Sequence, residues 1–545
     1  MLTPMECTSV PYSRVPHASP LFLDYLYHFE RVAQFFKASP FEASSYTSLA
    51  TRLRESSTPR REIADILTKQ NHAFGCVEPT FANIQRLSEP GTYAVVTGQQ
   101  VGLLSGPAFT LYKALTAVRL AQFLTEQGLP SVPVFWLANE DHDLEEVAEV
   151  AIYDEEYHLV SLSDHGDRPA PRSPVGQVRL TSDISAALDR LEAGLPPGEP
   201  RDRLLLDLRE TFQPGATWSQ AFARFLARLF GQWGVILLDP LDEAVHRLSV
   251  KVYQQALRGA AELRARLLER SGALVRHGYH AQVHVAEDST LVFVARDGNR
   301  VPVHQRDGEC WVDGTERASL AELQAWLDDR PLDFSPNVLL RPVVQDVLLP
   351  TLAYVAGPSE LAYLGQAQVL YEAFGRPQPV VFPRAAFTLV DRRIQRWLEK
   401  YRLAIEDVWE GEEHLSRKIA AAGFAEGWSE RFEQSERELA QLIDRLQRDV
   451  EKLDPTLLDT FQHVKEKMKY QMERLRGKVS RAALGRSELL SRHEQFLLRF
   501  LMPHRDLQER RISGIYFLGC AGYELLDRLL ARIQTHSSDH QILTY

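Results

Sequence analysis

Five consecutive residues, Asn139-Glu140-Asp141-His142-Asp143, close the apolar run in "VPVFWLANEDHDLEEV". Carboxylates flanking one imidazole form a proton-transfer set: they raise the pKa of His142, which could then act as acid or base. Glu140, Asp141 and Asp143 could also hold a metal such as Mg²⁺, or a substrate ammonium, and Asn139 adds a neutral hydrogen-bonding group. Charge runs are most often solvated surface. This one follows an apolar strand without alternation, the kind covered on both faces, beside the strand described next.

A second set lies in "YAVVTGQQVGLLSGPAFTLYK", Tyr93 to Lys113. Gly98, Gly102 and Gly106 recur every fourth residue, which fits neither G-x-G-x-x-G nor G-x-x-x-x-G-K-[ST]. Anion capture needs only free backbone N–H groups at a helix start, with small residues that let the ligand approach. Ser105-Gly106-Pro107 offers such a start, and Lys113 follows about two turns into the helix. Thr97, Gln99 and Gln100 put neutral polar groups at the carboxyl end of the strand, where open α/β sheets place ligands. The competing reading is a tight turn that serves packing.

The third set is "SPNVLLRPVVQDVLLPTLAYVAGPSELAYLGQ", Ser335 to Gln366. Asn337, Arg341 and Gln345 recur every four residues, which predicts one helix face. A strand follows, and Gly357-Pro358-Ser359-Glu360 then opens a further helix carrying Tyr363 and Gln366. Two helix starts of this kind on one cleft suit an anionic substrate. Arg384 ends the strand-like "VFPR" and could reach the same cleft. His277, His280 and His284 cluster in sequence, but no cysteine or H-E-x-x-H pattern supports zinc there.

The elements that must position these groups follow from periodicity. Residues from about 20 to 90 read as helical, with Phe22, Leu26 and Phe29 on a helical period. Apolar runs at Tyr93, Val132, Gly234, Leu352 and Gln378, most followed by helical patterns, predict a largely parallel α/β sheet; "AEVAIYD" is a further strand candidate. Residues 161–200 are rich in Pro, Gly and Asp and read as an irregular insertion. From 281 to 315 the chain alternates and turns at Asp297-Gly298 and Asp307-Gly308, a small antiparallel meander within an insertion reaching about 330. Beyond Arg384, Leu439, Ile443, Leu446, Val450 and Leu453 keep three- and four-residue spacings. Phe461, Val464, Met468, Met472, Leu475 and Val479 repeat them after a turn at Asp454-Pro455. Charged residues fill the remaining positions, so the pattern predicts an antiparallel coiled-coil hairpin. The domains expected are residues 1–384, an α/β core with two connecting insertions, and residues 385–545, helical.

Composition narrows the partners. The chain has 545 residues and a net charge of −11, which argues against nucleic acid or an anionic membrane as the main partner. Four scattered cysteines form no C-x-x-C pair and read as free thiols in a reducing compartment. The first residues lack the pattern of a signal peptide, and no apolar run approaches the roughly 18 residues of a membrane span, so a cytoplasmic protein is expected.

Taken in order, "TGQQVGLLSGP…YK", "PVFWLANEDHDLEEV", "SPNVLLRPVVQ…LP…AYVAGPSELAYLGQ" and "VFPR" resemble the BshC family, the cysteine-adding enzymes of bacillithiol biosynthesis. The resemblance covers nearly the whole chain. It implies a Rossmann-like core related to class I nucleotidyl-transfer folds, and a coiled coil that forms a homodimer. It also implies a reaction that joins L-cysteine to the amine of glucosaminyl-malate, with ATP expected for activation. On this analogy "GLLSGP" occupies the place of a histidine-bearing phosphate motif but has no histidine, leaving Ser105 and Lys113 as the nearest polar groups. The roles expected from the residues themselves give phosphate to Gly98, Gly102, Ser105, Gly106, Gly357 and Ser359, with Lys113. The amine falls to Glu140, Asp141 and Asp143, proton transfer to His142, and the malate or sugar to Asn337, Arg341 and Gln345. Two other classes remain open: a nucleotidyltransferase-like enzyme activating another small acid, and a coiled-coil scaffold.

Overall fold

The structure is a computed structural model that describes residues 7–55, 57–423, 428–484 and 487–545. At its centre five strands run parallel: β1 (Tyr93–Gln100), β2 (Ser131–Ala138), β3 (Ile236–Leu238), β4 (Thr351–Ala356) and β5 (Val380–Pro383). Their spatial order is β5-β4-β1-β2-β3, so the direction of winding reverses between β1 and β4. This is a doubly wound, Rossmann-like sheet, and such folds bind ligands outside the carboxyl ends of the strands at that reversal. The strands do not alternate because helices cover both faces: Tyr93 to Val96 and the whole of β4 are buried.

Helix α1 (Phe109–Glu126) crosses from β1 to β2, buried along most of its length. Helix α2 (Glu243–Arg258) follows β3, α3 (Arg341–Leu348) precedes β4, and α4 (Pro358–Ala373) joins β4 to β5. Five helices between Pro20 and Ser88 form the expected N-terminal helical region.

Two insertions interrupt the sheet. In the first, "AEVAIYD" does form a strand, Glu149–Tyr153, but it pairs antiparallel with Leu159–Ser163 instead of joining the parallel sheet. The stretch 161–200, read as irregular, contains the helix Asp183–Gly194. Its buried Ile184, Ala187, Leu188 and Leu191 keep helical spacing, while the prolines and most of the glycines that signalled irregularity lie on either side. In the second, the strands Ser289–Arg296, Asn299–Arg306, Glu309–Val312 and Glu316–Ala318 form the antiparallel meander, turning at the two Asp-Gly pairs.

Beyond the core, α5 (Trp428–Leu453) and α6 (Leu458–Leu484) form the coiled-coil hairpin, turning at Asp454 to Leu457, with Lys465 Nζ 2.9 Å from Asp444 across it. Ile443 is buried, whereas Leu446, Val464, Met468 and Leu475 stay nearly half exposed on one isolated chain. The last helices return to the core. There a small sheet joins Ala386–Val390 to His540–Thr544, with Cys7–Val10 on its far side. Among the described residues no helix is long and apolar enough to cross a membrane.

Candidate active site

The carboxyl ends of β1, β2 and β4 open on a cleft of about 520 Å³. Gly98, Gln99 and Gln100 reach it from β1, Glu140 and Asp141 from the turn after β2, and Gly357, Ser359, Glu360 and Tyr363 from the start of α4. Asn337 and Arg341 enter beside α3, Lys113 from α1, and Arg384 from the end of β5. Three sets far apart in sequence thus meet at the reversal of the sheet.

Lys113 is 2% exposed and spends all three of its donors inside the protein. It lies 2.5 Å from Glu360 Oε2 and donates to the Gly98 carbonyl at 2.5 Å and to Gln99 Oε1 at 3.1 Å. Burial lowers its pKa, and Glu360 opposes that shift. Glu360 in turn accepts from the Gly357 N–H and the Tyr354 hydroxyl, each at 2.8 Å. The lysine therefore ties β1 to the start of α4.

Arg341 has a different situation. Its guanidinium donates to Gln345 Oε1 at 3.0 Å and to the hydroxyls of Tyr354 and Tyr363 at 3.2 and 3.4 Å, and it lies 5.8 Å from the Trp136 ring centre. None of these partners is anionic, so a full positive charge faces the cleft. Gln345 is fully buried and is held by Asp346, so it steadies the guanidinium from behind. Asn337 is not on the helix face with them. It precedes α3, and its Oδ1 accepts from the N–H groups of Leu339 and Leu340, the work of a cap.

Facing Arg341 is the acidic run. Asn139 is fully buried and donates to Ser219 Oγ and Asp239 Oδ1, both at 2.7 Å, so it anchors the turn and does not line the cleft. Glu140 is 8% exposed, with a pKa pushed up to about 7 by burial against the pull of Arg300 and Arg341. Asp141 lines the cleft, while Asp143 accepts from the Glu146 N–H at the rim. The raised pKa expected for His142 is not found. Burial lowers it, joined by Arg300 and Arg172, and the opposing pull of Asp141 and Asp143 does not reverse the shift.

The glycine loop is also placed differently from its sequence reading. Leu104 and Ser105 adopt left-handed backbone, as does Gly106 at φ 69°, and the Gly106 N–H is used by the Leu103 carbonyl. Gly102 stands where an added Cβ would sit 2.8 Å from Gly106 Cα. Ser513, from the C-terminal helices, donates to the carbonyls of Leu104 and Gly106 and closes the loop from outside. Ser105 is fully buried, so neither it nor Gly106 presents an amide to the cleft. Thr97 is likewise internal and donates to the Val355 carbonyl at 3.0 Å. Gln366, fully buried, bonds the backbone of the cleft residue Val283 at both N–H and carbonyl. Arg384 lines the cleft, but its charge is taken up by a buried bidentate pair with Glu509 at 2.6 and 3.0 Å.

Three cleft groups had not been singled out. Arg300 comes from the inserted meander, stacks 3.8 Å from the Phe293 ring centre, and donates to Ser335 Oγ and the Pro336 carbonyl. One of its nitrogens lies 3.5 Å from Asp141 and 3.4 Å from His142 Nδ1. Arg510 arrives from the C-terminal helices, and nothing in its sequence neighbourhood marks it. Tyr354 could have been found, because a tyrosine in a fully buried strand must take its hydroxyl to a partner. Among the described residues no group of three His, Cys, Asp or Glu side chains is arranged to hold a metal.

Two family models match the chain: "Bacillithiol biosynthesis BshC, N-terminal Rossmann-like domain" over residues 5–385, and the corresponding C-terminal coiled-coil domain over residues 387–545. A relative from Koribacter versatilis is 37% identical over 538 residues, covering 98% of this chain and 99% of its own. One from Solibacter usitatus is 36% identical over 539 residues (99% and 100%), and one from Salinibacter ruber 33% over 544 (98% and 99%). All three carry the name "Putative cysteine ligase BshC". With both domains matched and end-to-end relatives well above a third identical in two cases, the chain belongs to the BshC family.

Proposed function

We propose that this protein is an acid–amine ligase that joins L-cysteine to the free amine of glucosaminyl-malate to form bacillithiol. The observation that carries the reading is the polarity of the cleft: Arg341, which makes no ion pair among the described residues, stands opposite the carboxyl groups of Glu140 and Asp141. A substrate with carboxylates at one end and an amine at the other matches that arrangement. Arg341, joined by Arg300, would take the malyl carboxylates through planar donor pairs, and Glu140 and Asp141 would receive the amine. Lys113, saturated by Glu360 and the β1 backbone, would hold the two turns together and not bind phosphate itself.

Forming the amide needs an activated cysteine carboxyl, and ATP would supply that activation. Its phosphates suit the mouth formed by Ser359, at the start of the 16-residue helix α4, and Arg510. Any Mg²⁺ would enter with the nucleotide. The half-exposed seam of Leu446, Met468 and Leu475 supports a homodimer through the coiled coil, and free thiols at Cys76, Cys310 and Cys520 support a cytoplasmic setting.

Thiol profiling of cells lacking the gene tests the reading: glucosaminyl-malate accumulates and bacillithiol disappears. Re-expression of Arg341→Ala fails to restore it. Full restoration by this variant would remove the site, and an unchanged thiol profile in the deletion would remove the substrate. An enzyme activating another small acid would show ATP–pyrophosphate exchange that does not depend on cysteine.

A further inference from the structure

Within the run Asn139–Asp143, Glu140 alone both lines the cleft and is nearly buried. Its Oε1 is sealed from solvent and accepts no hydrogen bond among the described residues. Opposite stands His246 of α2, 2% exposed, with Nε2 3.6 Å from that same Oε1. Neither ring nitrogen has a well-aligned hydrogen-bond partner among the described residues, although the backbone of Phe334, Pro331 and Pro240 lies near enough to favour its charged form. An unmatched buried polar group keeps the cost of leaving water without the return of a hydrogen bond. Here complementary groups left unmatched face each other just beyond the roughly 2.7–3.0 Å of a hydrogen bond. One proton placed between them satisfies Oε1 and Nε2.

The surroundings favour a single, mobile proton. Arg300 and Arg341 face Glu140 from the meander and α3, Asp141 and Asp239 from the turns after β2 and β3, and Tyr253 from α2. Burial pushes Glu140 up to about 7 and His246 down to about 4, so near neutrality Glu140 is divided between carboxyl and carboxylate, the carboxylate form is present to take a proton, and the imidazole is a neutral neighbour. A group poised this close to the working pH is suited to take and return a proton. His142, by contrast, is outside the cleft lining and is held by Asp141 and Arg300.

We infer that Glu140 accepts the proton of the attacking amine and that His246 is the positioning residue which fixes the carboxyl and shares that proton. The assignment rests on the ligase reading given above. In the step, the amine nitrogen bonds to the activated cysteine carboxyl carbon. The leaving-group oxygen departs with its bonding pair, and one N–H proton passes to Glu140.

Infrared difference spectroscopy on the full-length protein reads the pair without turnover. A protonated-carboxyl C=O band titrates near pH 7, is absent in Glu140→Gln, and is displaced in His246→Leu. In the amide-forming assay, Glu140→Gln lowers kcat by at least about 100-fold. His246→Leu moves the acidic limb of the pH–rate profile. A missing band, a limb unmoved in His246→Leu, or Glu140→Gln turning over within about threefold of the wild-type kcat overturns the assignment. A titrating Glu140 band in a protein that forms no amide from cysteine and glucosaminyl-malate upholds the pair and sinks the substrate reading instead.

Discussion

The chain makes the same local move twice: a buried parallel strand, a Gly-Pro turn, then a helix. After β1 the turn is Gly102 to Pro107, and after β4 it is Gly357-Pro358. The first is sealed by Ser513 and folded back on its own glycines. The second opens on the cleft, its N–H at Gly357 fixed by Glu360 and its first turn lining the cavity. Local signature is shared; what differs is which distant segment lies over it. A glycine-rich strand–helix turn therefore declares a possible ligand site only once its cover is known.

Glu360→Ala strikes the open turn hardest. It strands the buried charge of Lys113 and releases Gly357 and Tyr354, so unfolding in urea should show a loss of about 3–5 kcal/mol together with weakened binding of glucosaminyl-malate. A protein within about 1 kcal/mol of wild type would mean that the lysine does not tie the turns together.

Next in size is a pH effect on the open side. The folded pKa of Glu140 is raised to about 7 from an ordinary value of 4.5. The unfolded chain therefore gives up this proton first as pH rises, and stability falls across that window, by at most about 3 kcal/mol, then levels off above it. Denaturant titrations at pH 5 and pH 8 check this: the drop should be smaller in Glu140→Gln by that amount. An identical drop in both proteins would count against a buried, proton-holding Glu140.

Gly102→Ala addresses the closed turn. Its Cβ would meet backbone at 2.8 Å, so a destabilisation of about 1–3 kcal/mol is expected with substrate affinity unchanged. Lost affinity at unchanged stability would instead return the ligand to this loop. Smallest is Ser359→Ala at the exposed rim: stability within about 0.5 kcal/mol, and a nucleotide KM altered only a few-fold.

The sequence made the sheet strands, the meander and the coiled-coil hairpin legible because each rests on local periodicity and turn residues. It also brought Glu140 forward from the end of an apolar strand, Arg341 from a four-residue repeat, and Lys113 and Glu360 from the starts of helices, all visible in a string of letters. Cover and pairing were not visible. Ser513 lies over four hundred residues from the turn it closes, Glu509 more than a hundred from Arg384, and Arg300 is contributed by an insertion. The pKa of His142 was misjudged for the same reason: its carboxylate neighbours are visible in sequence, while the burial that lowers it and the guanidinium of Arg300 that adds to this come from the fold.

The small sheet that pairs Cys7–Val10 with His540–Thr544 has a consequence for the newborn chain. At a synthesis rate of roughly 5–20 residues per second, the first strand waits about half a minute to nearly two minutes for its partner to leave the ribosome. Glu509 and Ser513 arrive in the same final moments, so Arg384 remains unpaired and the glycine turn uncovered until then. Birth of the finished cleft is a late event. A ribosome that stalls before Glu509 leaves Arg384 without its carboxylate and the glycine turn without Ser513.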